Sequence, residues 1–103
     1  MKYQLVLQFC GDSIQDYDAL IELEERLTAA LGSAHVVDGH DFGAGEMNIF
    51  VHSDDPEAAF AIAKTKIPAG PMSRFLRAAY REIAGNHYST IWPPDSTDAF
   101  EVK

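Results

Sequence analysis

The chain has 103 residues and one cysteine, Cys10. That rules out an internal disulfide framework and the cysteine-rich zinc or iron–sulfur sites. Long apolar runs are also missing, since a membrane span needs roughly 20 apolar residues and nothing approaches that. The opening Met1-Lys2-Tyr3-Gln4-Leu5 lacks the apolar core of an export signal, so a cytoplasmic protein away from membranes is expected. Basic side chains are scarce: eight Lys and Arg stand against sixteen Asp and Glu, for a net charge of −8. Neutralising a phosphate backbone needs a basic surface, so nucleic acid is not an expected partner. What is present is globular in balance, with 47% hydrophobic and 23% charged residues, enough for one domain over 1–103 with a polar tail from about 94.

The charge is uneven along the chain. From Asp12 to Glu57 twelve acidic residues face Arg26 alone, a local −11. From Lys64 to Glu82 five basic residues face Glu82 alone, a local +4. Solvated faces that keep a small protein soluble would explain much of this. An acidic surface that steers a basic partner into contact would use the same pattern.

Tyr3, Leu5, Leu7 and Phe9 alternate with Gln4, Val6, Gln8 and Cys10, the period of a strand with one buried face. After Gly11-Asp12-Ser13, Leu20, Leu23, Leu27 and Leu31 recur at helical spacing and predict a helix over 16–31, capped by Ser13 or Asp16 and ended by Gly32. Two extended segments, 35–42 and 46–52, joined by Gly43-Ala44-Gly45, predict an antiparallel hairpin. Ser53-Asp54-Asp55-Pro56-Glu57 is a helix start with an Asp cap and Pro at the first position. That helix ends at Pro68-Ala69-Gly70-Pro71. Residues 74–83 suit a helix by composition, or a strand paired through Gly85-Asn86 with 87–92. The sheet needs one more strand, which favours the second reading.

The order β-α-β-β-α-β, with a further β, predicts an α+β fold: a ferredoxin-like two-layer sandwich whose antiparallel sheet carries two helices on one face and an extra C-terminal hairpin strand. In element order the chain resembles small single-domain bacterial proteins of ferredoxin-like pattern, a resemblance that implies the fold and brings no catalytic motif. A CxxC metal loop is absent, and the loop after the first strand carries Asp12 where acylphosphatase-like members carry an arginine. Gly11 alone matches the loop glycine of amino-acid-sensing regulatory domains. With Leu5, Leu7 and Phe9 turned to the helices, the other face of the sheet should be solvated or covered by a second chain. It would gather Gln8, Asn48, His52, Arg77 and Arg81 as candidate ligand-binding residues around Phe50.

Three further constellations stand out. Asp38 and His40, two apart on a strand, are expected to project to the same side and, with Glu46 across the hairpin, are candidate metal ligands. As a solvated hairpin end they need no metal, and no cofactor is expected. Cys10 lies at a strand end before a helix N-terminus, where a thiol could be activated or an anion held, although structural cysteines are commoner. Tyr80, Tyr88 and Trp92 form a candidate partner-binding group, with Tyr88, Thr90 and Trp92 on one side of the last strand.

No catalytic constellation assembles from these residues. The favoured reading is therefore a non-enzymatic, acidic interaction or regulatory module that binds a basic protein partner and forms a homodimer through the free sheet face or an edge strand. The alternative is a small-molecule or metal-binding protein, or an enzyme, that uses the polar open face.

Overall fold

The computed structural model describes residues 1–102. The element order is β1 (Tyr3–Cys10), α1 (Ile14–Leu31), β2 (His35–Gly43), β3 (Glu46–Ser53), α2 (Pro56–Lys66), α3 (Pro71–Arg74), β4 (Arg77–Glu82) and β5 (Ser89–Trp92). This is an α+β fold with one five-stranded sheet in the order β2-β3-β1-β4-β5, antiparallel at every pairing. The ambiguous segment splits: residues 71–74 make one helical turn and 77–82 form the strand.

β1 lies at the centre, paired with β3 from Tyr3↔Ser53 to Cys10↔Glu46 and with β4 from Tyr3↔Glu82 to Gln8↔Arg77. Its odd-numbered residues Leu5, Leu7 and Phe9 join Met47, Ile49 and Val51 against Leu20, Leu23, Leu27 and Leu31 of α1 and Ala59, Phe60 and Ala63 of α2. Each fully buried large apolar side chain contributes roughly 1.5–3 kcal/mol, so this layer dominates stability. Val6 and Ala79 point to the opposite face. There they form a smaller cluster with Phe100, against which Phe50, Tyr88 and Val102 pack.

Both long helices begin at side-chain caps. The Ser13 hydroxyl accepts from the Asp16 amide at 3.0 Å, and the Asp16 carboxylate accepts from the amides of Ser13 (3.2 Å) and Asp12 (3.1 Å). This reciprocal box satisfies amides that have no partner within the helix. The Ser13 amide, then the Ser13 hydroxyl and the Asp12 amide, hold the Asp16 carboxyl below the usual carboxylate range. Gly11 makes room for the box: a Cβ there would lie 2.7 Å from Met47 Cε and 2.9 Å from Asp16 Cβ. A steric requirement thus accounts for this glycine. At α2 the cap is Asp55, whose carboxylate accepts from the Ala58 amide at 3.1 Å. Asp54, the other sequence candidate, instead accepts from the Lys2 backbone amide at 2.9 Å.

Two β-bulges decide which way side chains face. In β2 the register passes from Val37↔Val51 to Gly39↔Phe50, leaving Asp38 as the extra residue. Gly39 holds φ +147° there, a backbone region that suits glycine. In β5 the register passes from Ala78↔Trp92 to Ala79↔Thr90, so Ile91 is extra. A one-residue insertion reverses the facing of everything beyond it.

Ser13→Ala should cost about 1 kcal/mol, lowering Tm by roughly 4–8 °C in a domain of this size. Because the folded pKa of Asp16 is depressed, its contribution is complete above the ordinary aspartate value of about 3.9 and disappears as pH falls through the lowered one. Thermal melts of wild type and Asp16→Ala should therefore differ at neutral pH and converge in strong acid. At α2, Asp55→Ala should cost about 1 kcal/mol while Asp54→Ala stays within about 0.5 kcal/mol, as read by denaturant titration.

Candidate functional site

The open face of the sheet carries a row of polar groups on its three central strands. Gln8 of β1, opposite Asn48 on one side and Arg77 on the other, donates through Nε2 to Asn48 Oδ1 at 3.2 Å. Asn48 donates in turn to the Glu46 carboxylate at 3.0 Å. Asn48 is 1% exposed and Gln8 8%. The cause is the chain's own C-terminal segment, which crosses this face. Gln8 Nε2 also donates to the Glu101 carbonyl at 2.8 Å, and Arg77 Nη2 donates to the Asp98 carbonyl at 3.3 Å. Phe100 is buried to 7% exposure, with Tyr88 at 5.0 Å between ring centroids and the Arg77 guanidinium at 5.4 Å.

This corrects the expectation that the face is solvated or covered by a second chain. The apolar pair Phe100 and Val102 seals its centre, so residues read as a polar tail supply the outer layer. The period-two spacing of those two apolar residues is the signal that pointed there.

The candidate ligand-binding residues are divided. Gln8, Asn48 and Arg77 are brought together beneath the tail. His52 stands apart and meets the Asp38 carboxylate at 3.5 Å through Nε2. Arg81 turns away, donating from Nη1 to the carbonyls of Glu82 (3.2 Å), Ile83 (2.9 Å) and Gly85 (3.0 Å), and so staples the β4–β5 turn.

The metal candidates are separated too. The bulge at Asp38 puts His40 in register with Ile49 on the helix side, where its Nδ1 meets the Glu24 carboxylate at 3.0 Å. Asp38 reaches His52, and Glu46 belongs to the Asn48 pair. Asp38 and His40 therefore do not share a side. Among the described residues no group of three His, Cys, Asp or Glu is placed to hold a metal ion.

The aromatic candidates occupy two faces, because the β5 bulge returns Trp92 to the helix side. Trp92 lies 6.1 Å from Phe60 between ring centroids, and the Lys64 ammonium sits 3.6 Å from its ring centre. Tyr80 packs edge-on against Tyr3 at 5.6 Å, in a cleft of about 430 Å³ that Arg81, Asn86 and His87 also line. Tyr88 stays on the open face with Phe100. Cys10 is exposed at the end of β1.

A second surface emerges at the β2 edge. Tyr17 of α1 contacts His40 at 5.9 Å and Phe42 at 5.3 Å between ring centroids. Beside it Ile14 is 79% exposed. Asp18, Glu22 and Glu25, spaced four and three apart and exposed, continue the same stripe of α1. Asp38 and Asp41 are exposed on β2. The basic residues Lys64, Lys66, Arg74, Arg77 and Arg81 belong to α2, α3 and β4, and Lys64 lies against Trp92 of β5. The charge asymmetry of the sequence thus persists across the sheet, from the β2 edge to the β4–β5 side.

Compared with protein families, curated proteins and solved structures, the chain matches no family model, no curated protein and no solved structure. No helix among the described residues is long and apolar enough to cross a membrane.

Removing a buried polar partner strands the groups bonded to it, so Asn48→Ala should cost about 1–3 kcal/mol. His52→Ala, at the edge of the face, should stay within about 0.5 kcal/mol. Equilibrium unfolding in urea checks both.

Proposed function

We propose that this chain is a small, non-enzymatic, acidic interaction module that docks a basic protein partner along the edge formed by α1 and β2. One observation carries the reading: Asp18, Glu22 and Glu25 form an exposed stripe of α1, with Asp38 and Asp41 exposed on neighbouring β2. Exposed Ile14 and Tyr17 at the head of the stripe offer apolar area for an anchor. Interfaces draw on such groups for affinity and on charge for encounter rate and orientation. The reading as a small-molecule site on the open face loses support, because Gln8 and Asn48 are bonded to each other and covered by residues 98–102. We read the architecture as a ferredoxin-like sandwich extended by one strand. The support is the order β2-β3-β1-β4 with α1 and α2 packed on one face, β5 being the addition.

The test is capture from cell lysate on the immobilised chain, comparing wild type with the triple variant Asp18→Lys, Glu22→Lys, Glu25→Lys. A basic protein should stay on wild type at low salt, wash off at about half-molar salt, where screening acts within a few ångströms, and be lost from the variant. Retention indifferent to both salt and charge reversal would contradict the proposal.

A further inference from the structure

We infer that the cleft at the β4–β5 turn is a binding site for a small carboxylate carrying a flat ring, held by the Arg81 guanidinium against a corner formed by Tyr3 and Tyr80. The cleft lies on the β4–β5 side of the sheet, away from the β2 edge, and does not depend on the reading given to that edge.

Three observations meet there. The cleft holds about 430 Å³, within the roughly 300–1,000 Å³ of small-molecule sites. Its apolar wall is the Tyr3–Tyr80 pair, with ring centroids 5.6 Å apart and planes at 88°. Two perpendicular rings make a corner in which a third flat ring stacks on one and meets the other edge-on. The Arg81 guanidinium, meanwhile, is already fixed. Nη1 alone donates to the carbonyls of Glu82, Ile83 and Gly85, so folding has already met the cost of ordering this long side chain. Nε and Nη2 have no partner among the described residues. That edge of a guanidinium presents two parallel N–H groups at the spacing of the two oxygens of a carboxylate. Because Arg81 lines the cleft, these are the donors a ligand there meets.

Asn86, His87 and Ser89 line the same cleft, and their side chains make no hydrogen bond among the described residues. The fold does not use them, which leaves them for a ligand. The charges select an anion. Glu82 is the one acidic residue in the described lining, and the Lys2 ammonium stands 4.0 Å from its carboxylate, so Arg81 leaves the lining positive. Asp54, Asp55 and Glu57 border a separate depression beyond the tyrosine pair. An ammonium ligand would meet a guanidinium whose own acceptors are all carbonyls and which no carboxylate neutralises.

The probe is sodium benzoate, titrated into the full-length chain and followed by NMR, with benzylamine, acetate and inorganic phosphate as comparisons. Benzoate should shift the Arg81 Nε–Hε resonance and give nuclear Overhauser effects from its ring to the rings of Tyr3 and Tyr80. Benzylamine keeps the ring and reverses the charge, and it should not bind. Acetate and phosphate lack the ring and should bind about tenfold or more weakly than benzoate. Arg81→Gln should weaken benzoate by about tenfold or more. Since Arg81 also braces the turn, Arg81→Lys is the second variant; it keeps the charge without the paired donors and should lose affinity in the same direction. Benzoate without effect on Arg81, benzylamine, acetate or phosphate bound as tightly as benzoate, or full affinity in a folded Arg81 variant would overturn the inference.

Discussion

The structure depends on β1 being buried on both faces. Leu5, Leu7 and Phe9 are sealed by α1 and α2, and Val6 and Gln8 by residues near the C-terminus. From Leu5 to Gln8 this central strand is paired on both edges and buried, so its pairings set the register of the sheet. The helices can cover one face because the leucines of α1 and Ala59, Phe60 and Ala63 of α2 recur at helical spacing. The other face needs a cover too, and with both long helices on the first face a short segment near the C-terminus supplies it.

That second cover explains the uneven polarity of the open face. Val6, Ala79 and Phe100 make a small apolar cluster, and Gln8 and Asn48 lie beside it with their hydrogen bonds satisfied. A buried amide pair tolerates such a site only while every donor and acceptor has a partner. Gln8 depends on the Glu101 carbonyl for part of this, so the polar row and the tail support each other.

Much of this was legible in the sequence. The alternation in β1 and β3, the leucine stripe of α1, the capping signals at Ser13 and Asp55 and the Gly-rich hairpin link each act locally, and each is where its residues predict. The two misread facings, of His40 and of Trp92, share one cause. Period-two facing holds only while a strand is regular, and bulges at Asp38 and Ile91 turn His40 and Trp92 toward the helices. Gly39 is the one residue whose type hints at the first of these. Nothing in Ser89–Trp92 announces the second, because an extra residue in a strand is fixed by the packing of its neighbours. The role of Phe100 was only half visible: its spacing from Val102 marks an apolar pair, but its contacts with Val6 and Ala79 are distant in sequence.

The surface follows from the same architecture. Sheet order places the acidic residues of α1 and β2 at one edge and Arg77 and Arg81 on β4 toward the other. The account rests most heavily on the closure of the outer face, and methyl–aromatic nuclear Overhauser effects measure that directly. The account predicts cross-peaks from the Phe100 ring to the methyls of Val6 and Ala79, with both methyls shifted upfield by the ring. A Phe100 ring at random-coil shifts with no such cross-peaks would contradict it.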